Sequence, residues 1–336
     1  MRKTTIFFLL VDLIAIACFI LFYGPYEDFR NTIVNTAMVT KTHQYIAYTF
    51  YDEDTIQKIL DLNKYIPVSG SMDLDAIVID TKEKKSYDNE YDEAVLKRDK
   101  GNDDYKYLKV KVGKYNAHMI AIYHPENVEL ITIKSFKKGG GQETILNMCK
   151  RTGGLVCINA GGFKDPDGWG SDIPNGYVIK DGEIIYSETD DKQDIIGITK
   201  DHKLLLVNAT GEEAIAMGMK DGIQFGPFLI VNGESIKYTS SAGGYDRAAR
   251  VAIAQRKDGV ILFLATEGTH GSGPTMKEVI DTLELYGAYN AANLDGGTSA
   301  QMVVNNKLVN NPKNVFGQSV SGGRRVVTGF GLMPSK

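Results

Sequence analysis

The sequence predicts an α+β protein: a mixed, mostly antiparallel sheet with packed helices, preceded by one N-terminal transmembrane helix. Three observations carry this expectation. Residues 5–24 form an almost unbroken apolar run. From about Tyr105 the chain alternates apolar and polar residues in short segments joined by tight polar turns. Helical periodicity appears only in a few stretches between those segments, so strands outnumber helices.

The apolar run TIFFLLVDLIAIACFILFYG is about twenty residues long, the length a helix needs to cross a bilayer. Arg2 and Lys3 precede it, which by the positive-inside rule keeps the N-terminus cytoplasmic and the C-terminal domain extracytoplasmic. Asp12 interrupts it. An acidic side chain at the helix centre costs roughly 2.5–3.5 kcal/mol, but Asp12 lies nearer the cytoplasmic end, as a partly hydrated charge or a contact to a partner helix. The run is longer than a signal-peptide core and no small-x-small site follows it. Residues 1–25 are therefore expected to be an uncleaved single-pass membrane anchor, with the lipid bilayer as partner of residues 5–24.

Residues 26–104 read as a stalk and charged lead-in. Asp52 to Ile66 carries acidic residues at its start and Ile56, Ile59, Leu60 and Ile66 at helical spacing. Met72 to Lys106 is crowded with Asp, Glu and Lys, the pattern of a solvated linker or domain edge. Residues 105–336 then form the main domain. Tyr105–Val112, His118–Tyr123 and Val128–Ile133 read as strands, Gly141–Lys150 as a helix and Leu155–Ile158 as a buried strand. Hairpin turns are expected at Lys180-Asp181-Gly182, Lys200-Asp201-His202, Lys257-Asp258-Gly259 and Asn305-Asn306-Lys307. Further helices are expected at Gly211–Gly218 and Pro274–Tyr286. In the latter, Met276, Val279, Ile280, Leu283 and Tyr286 share a face, Thr275 and Glu278 make a capping box, and Gly287 supplies the stop.

Composition narrows the function. The chain is 43% hydrophobic and 24% charged, ordinary for a globular protein, and its net charge of -4 argues against nucleic-acid binding. The 35 glycines exceed the usual ~7% share and gather as pairs in the second half, where tight turns or close approach to a ligand are implied. Cys149 and Cys157 flank the helix-to-strand turn, a spacing that fits either a disulfide or two free buried thiols; Cys18 lies in the apolar run. Neither a Cys/His cluster nor HExxH is present, and no cofactor or metal is expected. Asp165, Asp167 and Asp172 are close enough in sequence to hold calcium, though clustered loop aspartates are more often solvated.

Several strand ends carry polar residues beside glycine. Tyr289–Asn293 runs into Leu294-Asp295-Gly296-Gly297, a polar loop at a strand terminus of the kind that binds ligands in open α/β sheets. Asn159-Ala160-Gly161-Gly162-Phe163 follows another buried strand. Trp169 in the next loop would suit stacking on a sugar face. Arg247 and Arg250 precede the strand Val251–Ala254, and arginine grips phosphate bidentately. Glu267-Gly268 closes the strand Val260–Thr266.

Together Ile158–Phe163, Gly226-Pro227 with Asn232-Gly233, Arg250–Ala254 and Asn293–Ser299 resemble the phosphodiester glycosidase family, over roughly Tyr105 to Leu332. The chain departs from the family pattern at Val251, at Ala254, at Lys164, and at Glu267 where an aspartate is usual. The resemblance implies hydrolysis of a sugar-1-phosphodiester at the glycosidic carbon, in cell-envelope or exopolysaccharide metabolism, with a carbohydrate phosphodiester or polysaccharide as substrate. That chemistry requires a phosphate clamp and a carboxylate to activate water or stabilise a cationic sugar. The expected catalytic residues are Asp295 and Glu267. Substrate binding is expected from Asn159, Gly161, Gly162, Arg247, Arg250, Asn293, Gly296, Gly297 and Trp169. The alternative is a non-catalytic glycan-binding or polysaccharide-assembly module. A serine hydrolase lacks its GxSxG elbow here, and a nucleotide-binding domain its glycine-rich phosphate loop.

Overall fold

Every strand pairing among the described residues is antiparallel. The structure is a computed structural model and describes residues 3–39, 44–68, 70–165, 171–238, 246–269 and 271–335. A seven-stranded central sheet runs, in spatial order, Glu234–Ser235, Phe228–Val231, Ala288–Leu294, Val251–Arg256, Ile261–Thr266, Tyr115–Ile122, Tyr105–Val112. A second sheet of five strands is built around Val156–Asn159 and Thr328–Leu332. A third, also of five strands, is built around Met219–Gln224 and Gln193–Thr199.

The inner faces of all three sheets meet in one core. Ile120, Ile253 and Phe263 come from the central sheet, Leu130, Ile158 and Phe330 from the second, and Ile196, Leu206 and Ile223 from the third. Burial of each such side chain contributes roughly 1.5–3 kcal/mol. Each outer face is closed by a helix. Met276–Leu285 covers the central sheet through Val279, Ile280 and Leu283. Ile145–Thr152 covers the second sheet and Gly211–Ala216 the third. The Thr275/Glu278 capping box forms, and a second one pairs Thr210 with Glu213. The expected hairpin turns also form, with Asp181, His202, Asn305 and Asn306 at positive φ. Cys149 and Cys157 are joined by a disulfide.

The helix Lys3–Tyr23 buries no residue and is long and apolar enough to cross a membrane. The stretch expected as stalk contains helices Glu27–Val39, Gln44–Phe50 and Glu53–Asp61, packed around Val34, Ala47, Tyr51 and Ile56. Asp52 caps the last of these through the Thr55 N–H at 2.7 Å. That helix stops at Asp61; Tyr65–Ile66 instead pairs as a short strand with Lys237–Tyr238. The charged lead-in is held against the central sheet. The Val78 N–H donates to the Lys257 carbonyl at 2.8 Å, Asp92 pairs with Arg256 at 2.9 Å, and Val95 and Leu96 are buried. Part of its charge is thus an internal ion pair, which a reading by charge pattern alone takes for a solvated edge.

Candidate active site

The antiparallel register gathers distant residues at one end of the central sheet. Leu294, Val251, Ala265 and His118 form a row across four strands. Just beyond the row lie Asp295, Arg250, Glu267 and the turn at Gly226-Pro227, whose peptide bond is cis. The site therefore draws on both N- and C-terminal strand ends. The C-terminal-end rule for parallel α/β sheets, from which the sequence pointed to the Asp295 loop, does not describe this antiparallel sheet.

The second sheet locks onto this end through the Asp295 backbone. The Asn159 side-chain amide donates to the Asp295 carbonyl at 2.6 Å, and the Asp295 N–H donates to the Ala160 carbonyl at 2.9 Å. Asn159 is only 1% exposed, and its amide oxygen accepts the Gln301 N–H at 2.9 Å. Asn159 therefore positions the Asp295 loop, where the sequence pointed to contact with a sugar oxygen. Asn293 is similar: its amide donates to the Gly226 carbonyl at 3.0 Å and holds the cis-proline turn.

The glycines act by close approach. A Cβ on Gly296 would lie 2.5 Å from the Ala249 carbonyl oxygen, and Gly297 sits at φ 57 with its N–H on that same oxygen at 2.7 Å. Gly161 donates its N–H to the Thr328 hydroxyl at 3.0 Å, and Gly162 packs against Asn175 and Phe225. All four shape the loops, and Gly161 and Gly162 are buried.

The two carboxylates have opposite environments. Burial pushes the Asp295 carboxyl up to about 6, against opposing effects from the Ser299 hydroxyl, the Arg324 charge and the Gly296 N–H. The nearby Asp165 charge pushes the same way as burial. Glu267 is also partly desolvated, which would raise it, yet it ends below the usual glutamate range. His118 Nε2 contacts its Oε1 at 3.3 Å and the Asn311 N–H donates to the same oxygen at 3.0 Å. Nδ1 of His118 is in turn 2.7 Å from the Tyr107 hydroxyl, so Tyr107, His118 and Glu267 form a chain of polar groups.

Arg250 anchors one end of its fork on Asp246, at 2.6 Å to the carbonyl and 3.0 Å to the carboxylate. Its Nε is buried with no partner among the described residues. A buried N–H left in this state costs roughly 1–3 kcal/mol and marks a place for an acceptor. Arg247 is paired with Glu278 at 3.3 Å and donates to the Gly273 carbonyl at 3.1 Å. It ties the loop after Glu267 to the helix cap, where the sequence pointed to phosphate. Trp169 and Asp167 lie outside the described residues. Asp165 is ion-paired with Arg324, and Asp172 accepts the Gly140 N–H at 2.8 Å.

Sequence reasoning passed over His118, Tyr107, Ser299, Gln301 and Arg324. Ser299 ends the quoted Asn293–Ser299 motif, and Arg324 follows a glycine pair, a signal used elsewhere in the chain. His118 gives no such signal, being one polar residue in an alternating strand.

Residues 152–333 match the phosphodiester glycosidase family. An SPbeta prophage-derived uncharacterized protein of Bacillus subtilis (strain 168), YomE, is 28% identical over 185 residues, covering 51% of this chain and 27% of that protein. The chain thus spans about a quarter of the length of that curated relative. Among solved structures, the catalytic domain of zebrafish N-acetylglucosamine-1-phosphodiester alpha-N-acetylglucosaminidase, auto-inhibited by its pro-peptide, superposes with a TM-score of 0.54. The identity is 19%, over 69% of this chain and 82% of that one, a likeness of fold.

Proposed function

The chain belongs to the phosphodiester glycosidase family, and on that premise we propose that it is a hydrolase cleaving a sugar-1-phosphodiester at the glycosidic carbon. The observation that carries this reading is the pair of carboxylates driven apart in ionisation at one end of the central sheet, Asp295 upward and Glu267 downward. Asp295 takes the proton of the attacking water as the water oxygen bonds to the anomeric carbon. The carbon–oxygen bond to phosphate breaks, and its electron pair leaves with the phosphate. Glu267 stays ionised and stabilises the cationic sugar, with His118 and the Asn311 N–H holding it in place. Arg250 takes the phosphate through its Nε, which has no partner among the described residues. Because Asp295 must be ionised to act as base, activity rises with pH through about 6.

Lys3–Tyr23 is proposed to anchor the enzyme in the membrane with its C-terminal domain outside the cytoplasm, where envelope or exopolysaccharide phosphodiesters are the substrates. The test is to incubate the detergent-solubilised chain with the phenyl diester of N-acetylglucosamine 1-phosphate in ¹⁸O-water. Free sugar carrying the label, together with phenyl phosphate, is expected. Label in the phosphate, or no turnover, would sink the reading.

A further inference from the structure

A cavity of 510 Å³ opens beside the candidate active site, at the end of the third sheet. It shares walls with the site. Asn175 and Phe225 line it and also pack against Gly162, and Gly226-Pro227 lines it while accepting the Asn293 amide. Its volume is that of a small-molecule pocket, but its chemistry differs from the mostly apolar pockets that bind drug-like ligands. Gln193, Asn208 and Gln224 join Asn175 as side-chain amides around it. Asp194 and Lys192 are its charged residues, one of each sign, so it has no net preference for an anion or a cation. The Asn208 amide donates to Asp194 at 2.8 Å, which orients both.

A planar amide presents a donor beside an acceptor and a carboxylate presents two acceptors, the complement of neighbouring hydroxyls on a sugar ring. Two aromatic residues, Tyr65 and Phe225, add apolar faces for the C–H side of such a ring. Tyr65 comes from the lead-in, far from the family-matched residues in sequence, and is held there by the short strand pairing with Lys237–Tyr238.

We propose that this cavity is a subsite for a further neutral sugar unit, so that the substrate is an oligosaccharide or polymer bearing the phosphodiester-linked sugar. The proposal rests on the hydrolase reading above and narrows it. Its test compares two phenyl phosphodiesters on the full chain in detergent, one of N-acetylglucosamine alone and one carrying a second N-acetylglucosamine on that sugar. The wild type is expected to favour the extended ester at least tenfold in kcat/KM. Asn208→Ala and Gln193→Ala should erase that preference while leaving turnover of the single-sugar ester unchanged. Equal kcat/KM for both esters in the wild type, or an equal loss on both in the variants, overturns the subsite. If neither ester is cleaved, it is the hydrolase reading that fails. The subsite is then judged by calorimetric binding of an N-acetylglucosamine tetrasaccharide: weaker binding by Asn208→Ala supports it, and binding that is absent or unchanged refutes it.

Discussion

Replacing Asp295 by asparagine should abolish turnover and, at neutral pH, stabilise the fold. The carboxyl is raised from an ordinary 3.8 to about 6, chiefly by burial. A shift of that size corresponds to at most about 3 kcal/mol between the two protonation states. The folded-state value is the higher one, so the associated stability is fully present below the unfolded value. It is lost as pH rises through about 6. Asparagine mimics the protonated form at every pH. Against the wild type it should therefore gain little at pH 3.5 and approach the full amount at pH 7.5. Asparagine still accepts one of the two hydrogen bonds from Ser299 and Gly296; losing the other costs about 1 kcal/mol. That cost is present at both pH values and cancels when the two are subtracted.

The measurement is denaturant unfolding of wild type and variant at both pH values, alongside turnover of the phenyl diester. The expected double difference is about 2–3 kcal/mol, close to the ceiling set by the shift. A variant whose stability tracks the wild type equally at pH 3.5 and pH 7.5 would refute the raised carboxyl. Full activity in a folded Asp295→Asn would refute its catalytic role.

Arg324→Gln removes a charge that lowers the Asp295 carboxyl, so the acid limb of the pH–rate profile should move above about 6; an unmoved limb contradicts the coupling. His118→Phe leaves the burial of Glu267 opposed mainly by the Asn311 N–H, so its pKa should rise. The acid limb should then steepen toward a two-proton slope, and an unchanged slope in pH–rate measurements counts against the chain through His118. Gly296→Ala forces a Cβ to 2.5 Å from the Ala249 carbonyl oxygen. A fall in stability of about 1–3 kcal/mol, with activity lost, is expected; a wild-type melting temperature would show that the loop has room.

Much of the fold was legible because its signals are local. The Thr275/Glu278 box, the stop at Gly287 and the hairpin turns at Asp181, His202 and Asn305 depend on residues a few positions apart, and each formed where expected. The helix begun at Asp52 was legible at its cap but not at its end, because pairing with Lys237–Tyr238 draws Tyr65–Ile66 into a strand. The lead-in reads as a solvated linker or a domain edge from its charge pattern, and the pairing of Asp92 with Arg256 is not visible until the fold brings the two together. In the candidate site, residue types in the sequence do not show which side chains are taken up by the fold's own hydrogen bonds. Asn159 and Asn293 look like ligand-binding amides in sequence, yet both hold backbone carbonyls. Arg247 and Arg250 look equivalent, yet one is paired with Glu278 and the other with Asp246, with its buried Nε unpartnered among the described residues.

The sequence by itself determined the apolar helix at the N-terminus, the α+β class, the glycine-flanked loop around Asp295 and the family to which these belong. Those follow from composition, periodicity and motifs that are complete within short windows. Only the tertiary structure decided which groups act together. Asn159 and Asp295 are 136 residues apart, and His118 and Glu267 are 149 apart. Their contact depends on sheet register and on the docking of one sheet against another. The opposite directions in which the Asp295 and Glu267 carboxyls are shifted have the same origin. A carboxyl's charge state follows from its desolvation and from the charges and donors around it, and these are supplied by strands that meet only once the chain has folded.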